Sequence, residues 1–159
     1  MALAYGSPTA VTITLTSLAD DAYRCSASID NSTNLYLDCF VGGSTQVGAT
    51  GGGVLAIYAY GTNDGGTTWT ANVPATDSTI NWTTQNNING WVQLARIGYV
   101  SVNTGDDNND LEWGPYSVAR GFGGWMPEQW GIVIENKSSA ALNATGTNNT
   151  VDYTGVLLT

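Results

Sequence analysis

The run VTITLT, residues 11–16, puts apolar side chains at Val11, Ile13 and Leu15 and a threonine at each position between. Successive side chains of an extended strand point to opposite faces, so this run reads as a strand with one buried and one hydroxyl-covered face. The same period of two recurs from Tyr23 to Ile29 and from Leu35 to Val41, on either side of the turn cluster Asp30-Asn31-Ser32-Thr33-Asn34. Downstream, Gly51-Gly52-Gly53 precedes VLAIYAY (54–60), whose unbroken apolar character predicts a strand covered on both faces. Further strands are expected at 67–73 (ended by Pro74), 79–83, 91–95, 96–103, 115–121, 130–136 and 150–158, with 138–149 a long loop. No stretch sustains a helical period. The expected fold is therefore all-β: a two-sheet antiparallel β-sandwich, with a jelly roll as the favoured topology. No antibody-type Cys-Trp-Cys pattern points to the immunoglobulin order. Residues 1–10 read as an extended N-terminal arm, dispensable for folding, and 11–159 as a single β-sandwich domain. Ile13, Leu37, Ile57 and Ile132 are expected to face inward.

Composition narrows the chemistry. The 159 residues carry 13 acidic and 4 basic side chains and no histidine, a formal net charge of -9. Without histidine the usual general base and the commonest metal ligand are both missing. The acidic excess would repel nucleic acid, and the one lysine, Lys137, stands in no phosphate-binding glycine motif. No apolar run has the length of a membrane span or signal peptide, so neither membrane nor nucleic acid is an expected partner. A non-enzymatic protein with no cofactor is the expectation.

Four sequence features are candidates for something more specific. A hairpin centred on Ser32 would set Cys25 opposite Cys39 at a separation a disulfide spans, whereas a reducing compartment favours two buried thiols; both readings stay open. Asp106, Asn108, Asp110 and Glu112 place oxygen side chains at every second residue, a candidate calcium loop, although it lacks the glycine and glutamate of an EF-hand. Glu112 and Glu128 flank an aromatic region and are a carboxylate pair to weigh for glycoside hydrolysis, but linear spacing assigns them no role. Finally, six Trp and eight Tyr against two Phe favour surfaces with one wet end. The block RGFGGWMPEQWG (120–131) concentrates them. Phe122, Trp125 and Met126, with Tyr5 from the arm, are the candidate partner-binding residues, while Trp130 reads as a core residue closing one end of the sandwich.

Two stretches carry a resemblance: TLTSLADDAYRCSASIDNSTNLYLDCFV (14–41), and YSVARGFGGWMPEQWGIVIENKSSAAL continuing through Asn143 to TVDYTGVLL (116–158). They resemble a family of small β-sandwich virion proteins of tailed bacteriophages. That resemblance implies a structural role, decorating or cementing the capsid shell, with the major capsid protein or other virion proteins as partners. It implies location in the virion after assembly in the host cytoplasm, and brings no catalytic or cofactor residues. A homo-oligomer, most simply a trimer, would suit threefold positions of a shell. The alternative readings are a tail- or fibre-associated protein and a carbohydrate-binding module that takes a glycan on exposed Trp and Tyr.

Overall fold

The computed structural model describes residues 2–82 and 90–159. Among the described residues eleven strands run in chain order: β1 (Leu3–Tyr5), β2 (Thr9–Ala10), β3 (Ala22–Cys25), β4 (Ile29–Asp30), β5 (Asp38–Thr45), β6 (Gly53–Thr62), β7 (Ser78–Ile80), β8 (Ala95–Val102), β9 (Leu111–Ser117), β10 (Gln129–Lys137) and β11 (Thr150–Leu158). The helical content of the described residues is confined to short 3-10 turns. One sheet has the order β1-β11-β5-β9, with β2 also on β11; the other is β7-β3-β10-β6-β8, with β4 also on β10. All strand pairs are antiparallel. This is the two-sheet, nearly helix-free architecture that the period-two pattern predicts.

The two most apolar runs sit side by side at the centre. Strands β6 and β10 pair over their full length, with Ile57 opposite Ile134, Ala59 opposite Ile132 and Gly61 opposite Trp130. One face of this pair packs on Cys39, Val41, Trp113, Val151 and Tyr153 of the five-stranded sheet. The other face, carrying Tyr58, Tyr60 and Val133, is covered by the excursion after β6 through Ala71, Val73, Ala75, Ile80 and Trp82. VLAIYAY is therefore buried on both sides, as its composition predicts. The five-stranded sheet is covered on one side only. Ile57 and Ile132 lie in the core as expected.

Several local expectations are corrected. Val11 and Leu15 are buried and Ile13 half-buried, so the alternation at 11–16 is real, but the segment joins no sheet ladder and is a connection lying against β11 and Asp77. Residues 70–72 and 90–93 form 3-10 turns in place of the strands expected at 67–73 and 91–95. Ala71 and Asn72 take positive φ, which no strand accommodates. The strand expected at 115–121 instead spans 111–117 and gives way to a turn at 119–122. The expected arm does not stand free: β1 and β2 add to the edge of β11, with Leu3 opposite Leu158 and Tyr5 opposite Val156.

The 23–41 hairpin is the largest correction. Strand β3 pairs with β10 and β7, and β5 pairs with β11 and β9, so the two halves belong to different sheets. Asn31 causes the crossover. Its Oδ1 accepts the Tyr36 amide at 2.8 Å, its backbone N–H donates to the Glu128 carbonyl at 2.8 Å, and Leu35 takes φ 53°. Those bonds close a wide turn that hands the chain from one sheet to the other. Leu37, expected inward, is 46% exposed. Cys25 faces Val133 and Ser78, Cys39 faces Gly155, and both are free, fully buried thiols. Burial pushes the Cys25 thiol up to about 11, and burial together with the Asp38 charge pushes Cys39 to about 12. Neither thiol should react with an aromatic disulfide reagent near neutral pH in the folded protein, and both should react after denaturation. Rapid labelling of the native protein would place a cysteine at the surface and contradict this packing.

Candidate functional site

Asp38 organises one end of the sandwich. Its carboxylate accepts the Ser117 hydroxyl at 2.6 Å and the Ala119 amide at 2.9 Å, clamping the end of β9 and the following turn to the start of β5. The chain then reverses through Gly123 and Gly124 at φ 75° and 98°, the left-handed region where glycine is unstrained, and the Gly124 amide closes on the Ala119 carbonyl. No atom lies within contact distance of a side chain added at either glycine, so nothing shields the next residue. Trp125 is 80% exposed. Phe122 and Met126, on either side of it, are half-buried against the core, and the Phe122 ring lies against Gly61 beside Pro127. Three of the four expected partner-binding residues thus divide into a presented tryptophan and the two side chains that root its loop.

The pairing register brings other apolar side chains to the same end. Here β5 begins and β11 finishes: the Leu37 amide donates to the Val156 carbonyl at 2.8 Å, and β1 flanks β11 from the other side. The Asn31 turn is tied to residues 127 and 128 of the tryptophan loop through the Pro127 and Glu128 carbonyls. Of the eight large hydrophobic side chains that are exposed among the described residues, six lie on the elements that meet at this end: Leu3, Tyr5, Leu35, Leu37, Trp125 and Leu158. Tyr5 is 68% exposed and lies beside Val156. Sequence reading missed the four leucines, because an isolated leucine in an alternating run looks the same whether it points inward or outward. The positive φ at Leu35, which turns it out of the strand, leaves no sequence signal.

The expected calcium loop is not assembled as a cation site. Asp106 Oδ2 accepts the Asn103 amide at 2.6 Å, Asn108 Oδ1 accepts the Asn143 side-chain amide at 2.9 Å, and Asp110 Oδ1 accepts the Gln46 side-chain amide at 2.7 Å. Glu112 projects from β9 beside Ser44, on the outer face of the five-stranded sheet. Protein donors therefore engage one oxygen each of Asp106, Asn108 and Asp110, and the side-chain amides of Gln46 and Asn143 tie the loop to the end of β5 and to the 142–149 loop. Among the described residues, no group of three or more His, Cys, Asp or Glu side chains is placed to hold a metal. Glu112 and Glu128 are not gathered into one catalytic pair: Glu112 belongs to the five-stranded sheet, while Glu128 precedes β10 in the other and accepts the Gly65 amide.

The outer face of the five-stranded sheet holds a second feature, a groove of about 870 Å³ running between Tyr5 and Glu112. Among the described residues, no helix is long and apolar enough to cross a membrane. No known protein family, curated protein or solved structure matched this chain.

Proposed function

We propose that this protein is a non-enzymatic structural component of a tailed-phage virion that decorates or cements the capsid shell, docking through its apolar end. The observation that carries the docking is the convergence of Leu3, Tyr5, Leu35, Leu37, Trp125 and Leu158 on one end of the sandwich. Exposed apolar side chains collected at one end of a domain mark an interaction site. The virion assignment rests on the resemblance of 14–41 and 116–158 to phage β-sandwich proteins. The alternation of consecutive strands between sheets, from β5 to β6 and from β8 through β9 to β10, supports reading the sandwich as a jelly roll. Burying apolar surface against capsid protein stabilises the assembled shell by mass action, without chemistry. A trimer seated at threefold positions fits the same reading.

Salt separates this mode of attachment from an electrostatic one. The protein carries a net charge of -9, and the apolar end presents no basic cluster of its own. Apolar burial holds or strengthens as salt rises, whereas attraction between exposed charges is screened over about 8–10 Å at physiological ionic strength. In co-sedimentation with capsid particles, affinity should hold or rise from low to high sodium chloride. Trp125→Ala should weaken it by about tenfold or more, as expected of an aromatic anchor. A steep loss with salt together with a silent Trp125→Ala would refute docking through this end.

A further inference from the structure

We infer that the groove on the outer face of the five-stranded sheet is a binding site for a neutral, extended oligosaccharide. This site meets the apolar end at Tyr5, and it does not depend on the capsid reading. Strand β5 lies at the centre of this face, between β11 and β9. Along the face the register sets Phe40 beside Thr154, Gly42 beside Asp152, and Ser44 between Thr150 and Glu112. Tyr5 continues the row at the level of Val156. From Thr150 to Val156 is six residues of strand, a trough about 20 Å long.

The floor is low because glycine occupies it. Gly42 and Gly114 stand side by side where the ladder between β5 and β9 shifts register, and a side chain at Gly42 would meet the Trp113 carbonyl at 3.0 Å. Tyr5 and Phe40 offer aromatic surface, and Pro8 and Pro115 add apolar walls. Between them stand hydroxyls (Ser44, Thr150, Thr154) and the acceptor-only carboxylates of Asp152 and Glu112. Apolar ring faces alternating with hydroxyl and carboxylate acceptors match a sugar chain, whose rings present C–H faces and whose edges present hydroxyl donors.

Charge and backbone pairing decide among occupants. No Lys or Arg lines the groove, so nothing there would compensate an anionic ligand, and its two carboxylates would repel one. A peptide is disfavoured for a different reason. The groove lies on the face of a sheet whose central strands, β5 and β11, are each paired on both sides. A peptide lying across these two strands would find few free main-chain partners for its own N–H and C=O groups. A saccharide needs none.

Isothermal titration of the isolated full chain tests this with neutral hexasaccharides of the gluco, manno, galacto and xylo series. An acidic oligogalacturonate and an arginine-rich peptide serve as the competing classes. At least one neutral hexasaccharide should bind, and Phe40→Ala and Asp152→Ala should each weaken it by about tenfold, near 1.4 kcal/mol. Tyr99→Ala, an exposed aromatic outside the groove, should not change it. Asp152 is exposed, so its variant separates lost binding from lost folding, and an unchanged melting temperature confirms that separation. Absence of binding by every neutral hexasaccharide would overturn the inference, as would preference for the galacturonate or the basic peptide, or binding undiminished in both variants. None of these outcomes bears on capsid docking, which is measured with particles.

Discussion

Trp130→Ala should lower the folding free energy by about 3–5 kcal/mol, the usual cost of emptying a buried tryptophan site, out of a total of about 5–15 kcal/mol for a domain. Trp130 is fully buried and heads the largest side chains of the core. It stands on β10 opposite Gly61 and Ile29, and its ring meets Tyr153 of the facing sheet edge-on, with centroids 5.3 Å apart. The indole therefore fills the space between the two sheets at the end where the tryptophan loop is rooted. Glycine at position 61 offers no side chain that could collapse into the gap. The indole Nε1 finds no acceptor, so the stabilisation comes from packing and not from a hydrogen bond. Trp130→Phe should accordingly lose much less than Trp130→Ala. Denaturant unfolding followed by circular dichroism checks both, and an alanine variant within about 1 kcal/mol of the parent would show that the site is not the packed centre described here.

The second large effect is expected at Glu135, a carboxylate with only 3% of its surface exposed, on the outward face of β10. Its Oε2 accepts the Tyr58 hydroxyl at 2.7 Å, and the Lys137 ammonium, itself half-exposed, reaches Oε1 at 3.2 Å. Glu135→Ala would strand the Tyr58 hydroxyl beneath the covering excursion and open a cavity, at a cost of about 1–3 kcal/mol for the unsatisfied hydroxyl alone. Glu135→Gln retains an acceptor and the side-chain shape and should cost less. The same cluster predicts an alkaline limit. Burial, then the hydrogen bond to Glu135 and its negative charge, hold the Tyr58 and Tyr23 hydroxyls well above the ordinary value of 10. Burial does the same for Tyr60. A group whose folded-state pKa lies above its unfolded value contributes stability that is complete below the unfolded value and is lost as pH rises beyond it. The buried thiols of Cys25 and Cys39, raised in the same sense from an ordinary value of about 9, should begin the loss of stability as pH rises past that value, and the tyrosines should add to it above about pH 10. The tyrosinate absorbance of these residues should appear only with unfolding. Full tyrosine ionisation in the folded protein near pH 10 would contradict the burial of this cluster.

How far the sequence was legible can be followed residue by residue. VLAIYAY and GIVIEN announced the central strands because a strand buried on both faces needs no polar alternation, and only a sheet centre supplies such burial. The alternation at 11–16 was equally clear and equally correct about which side chains are buried. It could not distinguish a laddered strand from an extended connection, since both present side chains with the same period. The Trp125 loop was legible from its glycines, which supply no covering bulk, and Trp130 from its place at the head of a core strand. The oxygen spacing at 106–112 was read as a coordination set; the side-chain amides of Gln46 and Asn143, brought in from elsewhere in the fold, and the local Asn103 amide each bond one of those oxygens.

By itself, the sequence determined the class of fold and the two strands at its centre, because side-chain period and apolar content are local properties that any tertiary arrangement must accommodate. It also determined that histidine-based chemistry is absent. The pairing partners were decided only in three dimensions. Cys25 and Cys39 share a face in the simplest hairpin, yet the bonds of Asn31 to Tyr36 and Glu128 send the chain across the sandwich and part them into different sheets. The apolar end was decided the same way. Leu3, the neighbouring Leu35 and Leu37, Trp125 and Leu158 come from four distant parts of the chain, and exposure is a property of what packs on a side chain. The groove depends on the register that sets glycines of β5 and β9 side by side and leaves one sheet face uncovered, and register between distant strands is set by the packing of the whole molecule.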